Sequence, residues 1–484
     1  MVPSSTGNIE RVLIEMRPRL QSANFFIAFR RNFADIESTT IDLANDRLTI
    51  AIGKGAAAPE RYEIRVGDFF QLHTQTLSSL VIKNRYLCFR VNTNESSFGT
   101  ELLNSQQEGG GGSALEEYEQ LKLAVNIEPD ARYALLCSNC GGSLNAQPDA
   151  ELEGITFRRV LELPSEQMDA NEWFCHRHDH STGEATEGVS HQSGEHEKLT
   201  INKLEPQTCD LLYGPFYALL HRTALQRVHI RSDRFVHCRR CLQFLGTCQK
   251  SRPCVKLWYE GVRFQPITGN RVPLALFRVD EPLELFRLLV RKTIRECNFV
   301  THLGLPPMFK LMFELHRPGR EGDVFYLLLQ IMDSGLSVFR IDAKRTEPES
   351  SGSCSEDIDD VGMAKCPLQL KTTEDGQNRK EDDDDDGTTE ADDDDDDDVF
   401  IESSCRKHNI VLQRHRAMKL MYWYEKYEQQ PLFTFWREDS NVVNLELSEP
   451  MFTAAIRYLD KNSSYVPECY RVNQGFSMSY LDIT

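Results

Sequence analysis

The chain has 484 residues, 40% of them hydrophobic, which is enough for two to four domains of roughly 150 residues with buried cores. Its net charge is −19, but Glu381 to Asp398 alone holds twelve Asp and two Glu with no basic residue, leaving only −5 for the rest. That mild balance argues against a direct nucleic-acid ligand, which needs a basic face to displace counterions.

No run of about 18 apolar residues could cross a membrane. The first twenty residues, with Glu10, Arg11, Glu15 and Arg17, lack the apolar core of a signal peptide. The expected location is cytoplasmic and nuclear, where the 14 cysteines stay reduced and serve as buried thiols, metal ligands or reactive groups rather than as disulfides.

Residues 1–130 predict an antiparallel β domain. Apolar residues alternate at Leu48, Ile50 and Ile52, at Tyr62, Ile64 and Val66, at Leu87, Phe89 and Val91, and at Leu121, Leu123, Val125 and Ile127. Four consecutive glycines between Gln106 and Ser113 mark an exposed loop. Residues 131–265 form a middle segment with two cysteine pairs, strand-like pieces at Ile155 to Leu163 and Phe235 to Leu245, and a polar loop from Ser181 to Thr200.

At Asp280 the period changes. Leu283, Phe286, Leu289, Val290 and Ile294 recur at helical spacing behind an Asp280 N-cap and Pro282, predicting a helix of about four turns. Phe309 to Leu315 alternates, and Val324 to Met332 and Leu336 to Ile341 flank a predicted hairpin turn, Asp333-Ser334-Gly335. Val411 to Tyr424 reads as a strand, and Ser448 caps a short helix carrying Met451, Ala455 and Tyr458. Residues 266–345 and 404–484 thus make a C-terminal α+β module, interrupted at 346–403 by an acidic insert expected to be disordered. The fold class is α+β.

Cys137-Ser-Asn-Cys140 and Cys238-Arg-Arg-Cys241 have the two-residue spacing that points both sulfurs of a knuckle at one ion, and two knuckles complete the tetrahedron of a structural zinc. Gly141 and Gly246 follow the two pairs, where a tight turn aims N–H groups at the sulfurs. Cys175 is left over beside His176, His178 and His180. It reads as part of a polar loop, as a ligand of a second zinc, or as a presented thiol that is either a nucleophile or a soft ligand for a partner's metal, with Trp173 and Phe174 as anchors. Cys469 is a second candidate nucleophile, with no histidine within fifteen residues. Phosphate loops, Ser-His-Asp order and His-Glu-x-x-His are not found.

The order of motifs is itself informative: Cys-x-x-Cys-Gly at Cys137, Leu163-Pro164-Ser165-Glu166, Glu172-Trp173-Phe174-Cys175-His176, and Cys-x-x-Cys with a following Leu-Gly at Cys238. It resembles the HECT-like ubiquitin-protein ligase family whose members bind a ubiquitin-conjugating enzyme. The resemblance implies that ubiquitin is received from that enzyme and passed to a substrate or to the chain itself. HECT ligases do this through a cysteine in a Leu-Pro-x-x-x-Thr-Cys setting near the C-terminus. The nearest stretch here, Leu447 to Thr453, has no cysteine, leaving Cys175 and Cys469 as candidates or no catalysis. The resemblance also implies an association with the zinc-dependent endonuclease of pre-mRNA 3′-end processing. In that role the stretch from Leu163 to His176 acts as a plug and Cys175 reaches the nuclease's metal.

Overall fold

The computed structural model describes residues 7–17, 20–33, 36, 38–54, 57–94, 123–145, 154–163, 205–248, 252–301, 309–317, 324–342, 368–372, 406–426, 431–439 and 441–483. The α+β class holds. Strands dominate, and among the described residues there are four α-helices: α1 (Pro282–Thr301), α2 (Pro431–Glu438), α3 (Glu449–Ser463) and α4 (Glu468–Arg471). The chain divides into two compact units that interleave along the sequence. Met1–Gly111, Asp333–Leu420 and Lys461–Thr484 make the first, and Gly112–Met332 with Met421–Asp460 the second.

In the first unit, strand Ile9–Arg17 pairs antiparallel with Ser22–Phe29 on one side and with the end of strand Val324–Asp342 on the other, Ile14 facing Phe25 and Phe339. A second, five-stranded sheet runs in the order Leu368–Thr372, Ser38–Leu43, Arg47–Lys54, Ala57–Arg65, Arg406–Ile410. Period-two alternation puts Ile41, Ile50, Tyr62 and Ile64 of this sheet into one core with Ile14, Phe25, Ile27 and Phe89 of the other. The same core takes in Phe339, Ile410 and Leu412 from far along the chain.

A buried polar knot lies in this unit. The Glu15 carboxylate, fully buried, receives hydrogen bonds from Tyr480 Oη at 2.9 Å, Asn24 Nδ2 at 2.9 Å and Arg17 Nη2 at 2.9 Å, and pairs with Lys419. Burial alone would raise this carboxyl, but the Lys419 and Arg17 charges overcome it and hold it at about 2.

In the second unit a seven-stranded sheet runs in the order Arg159–Glu162, Asp210–Gly214, Tyr217–His221, Cys254–Trp258, Phe244–Cys248, Phe235–Cys238, Val228–Arg231. Strand Arg132–Cys137 sits between Ile155–Thr156 and Val262–Pro266 in a separate three-stranded sheet. Helix α1 buries Phe286, Leu289, Val290 and Ile294 of the expected stripe, with Leu285 buried in place of the half-buried Leu283, and Phe286 packs on Phe313 at 5.4 Å between ring centroids.

Five local expectations are corrected. Asp333-Ser334-Gly335 is not a hairpin turn, because Val324–Asp342 runs through it as one 19-residue strand. Its beginning has Phe309–His316 to pair with and its end has Ile9–Arg17, so ladder hydrogen bonds on both stretches outweigh a local turn signal, and Gly335 does not adopt positive φ. Leu121 to Ile127 gives no described strand. Val125 forms only an isolated bridge to Phe277, since Asn126 spends its side-chain amide on the carbonyls of Ala275 and Phe277.

Asp280 does not cap α1, which begins at Pro282; its carboxylate pairs with Arg263 Nη2 at 3.0 Å. Within the stretch expected to be disordered, Leu368–Thr372 is a strand, because its backbone extends the edge of the sheet parallel to Ser38–Leu43. The rest of 346–403, and the loops at 106–113 and 181–200, lie outside the described residues. Gly246, the fifth, lies within strand Phe244–Cys248 and not in a knuckle turn.

Candidate metal centre

Each cysteine pair begins where a strand ends. Strand Arg132–Cys137 delivers Cys137, and strand Phe235–Cys238 delivers Cys238. The two turns that follow are built alike. Gly141 N–H donates to Cys137 O at 2.9 Å and Cys137 N–H to Gly142 O at 2.9 Å. In the other turn Leu242 N–H donates to Cys238 O at 2.9 Å and Cys238 N–H to Gln243 O at 2.9 Å. Each knuckle turns through a left-handed residue at the same place, Gly141 at φ 64° and Leu242 at φ 61°. The expected partner of Gly141, Gly246, is therefore not a knuckle glycine. It lies within strand Phe244–Cys248 at φ 157°, where an added Cβ would fall 1.9 Å from Lys256 O. Close approach of two strands, not a turn, requires a glycine there.

The knuckles bring the four sulfurs together. Cys137 Sγ lies 3.6 Å from Cys241 Sγ, Cys140 Sγ lies 3.7 Å from Cys238 Sγ, and all four fall within 4.8 Å of one another. A regular tetrahedron with metal–sulfur bonds of about 2.3 Å has edges of about 3.8 Å, so the four thiols can hold one metal ion with little movement. Backbone N–H groups aim at the sulfurs as a thiolate site requires, those of Asn139 and Cys140 at Cys137, Gly142 at Cys140 and Gln243 at Cys241. Burial pushes the Cys137 thiol up to about 12 and raises Cys140, whereas the Gln243 N–H holds Cys241 down to about 6. A metal taken up here displaces the protons that the thiols still carry.

Of the other predicted site residues, Leu163 is described, its N–H donating to Tyr213 O at 2.8 Å. Pro164, Ser165, Glu166, Glu172, Trp173, Phe174, Cys175 and His176 lie outside the described residues. Cys469 is exposed on α4, beside Tyr470, whose ring meets Phe26 edge-on at 6.1 Å. Among the described residues no base hydrogen-bonds to Cys469 Sγ. Its described neighbour thiol, Cys88, is pushed up to about 12 by burial together with the nearby Cys469.

Two features of this unit are not foreshadowed by the motifs. Leu242 is 66% exposed on a left-handed backbone, a conformation disfavoured for a leucine, and its knuckle position was the signal available. Lys256 Nζ stands 4.2 Å from the ring centre of Tyr217, 5.0 Å from that of Trp258 and 5.3 Å from that of Phe216, and 3.1 Å from Glu446 Oε2. Nothing in the spacing of those residues announces that enclosure.

No curated protein and no solved structure matches the chain. A family model described as HECT-like ubiquitin-conjugating enzyme (E2)-binding matches residues 15–478, nearly its whole length. That span takes in both knuckles and Cys469, so the chain belongs to the HECT-like ubiquitin-conjugating enzyme (E2)-binding family.

Proposed function

We propose that this protein is a ubiquitin-protein ligase that docks a ubiquitin-charged conjugating enzyme, accepts the ubiquitin and passes it to a substrate or to itself. The observation that carries the reading is the family match over residues 15–478. In the transfer step a cysteine thiolate of this chain attacks the carbonyl of the enzyme's thioester to ubiquitin, a new thioester forms and the enzyme's thiol leaves. Cys469 is the exposed candidate among the described residues, and Cys175 is the other. The knuckle cysteines take zinc and play a structural part. The described cysteines are all free thiols, which suits a reducing cytoplasm or nucleus.

The test charges the purified protein from a panel of conjugating enzymes and looks for a reductant-sensitive adduct, with Cys175→Ala and Cys469→Ala alongside. An adduct missing from one variant names the nucleophile. No adduct in any lane, with zinc content intact, removes the transfer step and leaves binding of the conjugating enzyme alone.

A second reading rests on the completeness of the four-thiol group, which leaves Cys175 unused by it. There the protein is a regulator that inserts Cys175 into the metal site of the pre-mRNA 3′-end processing endonuclease. It requires that Cys175→Ala abolish capture of that nuclease in a pull-down while the adduct assay stays blank.

A further inference from the structure

The mild charge of the folded part is an average, and it conceals a local excess. Residues 221–248 contain six arginines, no lysine and one acidic residue, Asp233. The tertiary structure gathers five of the six arginines at the edge of the seven-stranded sheet, where Val228–Arg231 is the last strand and pairs with Phe235–Cys238, whereas Arg222 follows the inner strand Tyr217–His221. Arg231 and Arg234 flank the turn at one end of this hairpin, with Ser232 and Asp233 at positive φ between them. At the other end the Arg239 N–H donates to Arg227 O at 3.1 Å, and Arg240 follows in the knuckle. Arg231, Arg234, Arg239 and Arg240 are exposed, and among the described residues no carboxylate pairs with any of them. Elsewhere arginines sit against acids, as in Arg65 on Glu63 at 2.8 Å, Arg263 on Asp280 at 3.0 Å and Arg340 on Asp482 at 2.9 Å.

One face of the hairpin interleaves rings with these charges. His229 lies directly across from His237, and Arg231 across from Phe235. Phe244 meets Phe235 at 6.0 Å and His237 at 5.6 Å between centroids, and the Arg234 guanidinium stands 5.4 Å from the centre of the Phe235 ring. We propose that this edge hairpin, from Arg227 to Phe244, binds single-stranded nucleic acid. Exposed guanidinium groups take phosphates bidentately, and the exposed His229 with the half-buried His237 and Phe244 offers a platform for bases, Phe235 itself being buried. An acidic peptide would need the charge but would make no use of the rings.

Four phosphate contacts imply a slope of about −2.8 in log affinity against log salt for a single strand. Fluorescence anisotropy of the full-length protein with labelled oligo-dT and oligo-U, titrated across salt, measures it directly. The double variant Arg231→Ala/Arg234→Ala, placed at the hairpin end away from the cysteines, is expected to flatten the slope to about −1.4 and weaken binding about 25-fold at 0.1 M salt. Arg61→Ala/Arg65→Ala makes the same change of charge in the other unit and is expected to leave binding unchanged. Zinc content and melting temperature check that each variant is folded. Equal losses in the two double variants, no binding of either oligonucleotide, or displacement of the oligonucleotide by a poly-aspartate peptide at equal charge concentration would each overturn the proposal.

Discussion

At the scale of single residues, two buried carboxyls should respond to pH in opposite directions. Glu15, held at about 2 against an ordinary 4.5, favours folding as the anion. Its contribution is complete above 4.5 and drains away as pH falls toward 2. Glu15→Gln leaves Lys419 buried opposite a neutral amide, and should cost about 3–5 kcal/mol in urea denaturation at pH 7. Glu260 is the reverse case, because burial raises it from 4.5 to about 7 and folding favours the protonated acid. Its contribution is present below 4.5 and is lost as pH rises through 7. Glu260→Gln, which is neutral throughout, should therefore stabilise the fold at pH 8 by on the order of 2 kcal/mol, read as a higher melting temperature, and leave it unchanged at pH 4. Equal shifts at the two values would remove Glu260 from the account.

At the scale of the element, the knuckles and their flanking strand make different demands on glycine. A Cβ added at Gly141 would meet no atom within 4 Å, so Gly141→Ala meets backbone strain alone, about 1–2 kcal/mol. Gly246→Ala drives a Cβ into the Lys256 carbonyl on the neighbouring strand and should cost distinctly more, with the ranking read from melting temperatures of the two variants. The knuckles also join segments about a hundred residues apart. If zinc ties them, chelation or Cys238→Ser should release the hairpin of Val228–Arg231 and Phe235–Cys238 to limited proteolysis and lower the melting temperature, while metal analysis shows loss of one equivalent of zinc. Protection that survives chelation would mean that strand pairing alone holds the hairpin.

At the scale of the whole molecule, the first unit is closed by strands from widely separated parts of the chain. Strand Ile9–Arg17 has Ser22–Phe29 on one side and the end of Val324–Asp342 on the other, and its core includes Phe339, Ile410 and Leu412. A fragment of residues 1–130 should therefore lack one neighbour of its first strand and part of its core. The expected result is a broad, non-cooperative thermal transition by circular dichroism where the full chain melts cooperatively. A sharp melt of that fragment would show that the N-terminal strands suffice.

Local chemistry was legible in the sequence wherever the physics is local. Alternation of Leu48, Ile50 and Ile52 specified a half-buried strand, helical spacing specified the buried stripe of α1, and cysteines two apart specified knuckles, since each pattern is fixed by the geometry of a few consecutive residues. The class of the molecule and its cluster of four cysteines followed from those patterns. Only the tertiary structure decided that Asp333-Ser334-Gly335 runs straight, that Leu242 rather than Gly246 matches Gly141, and that arginines scattered over residues 227–240 share one sheet edge. Each of these depends on which distant strand supplies the partner for a backbone, and a cross-strand ladder made over long separations can outweigh a turn preference written in three residues.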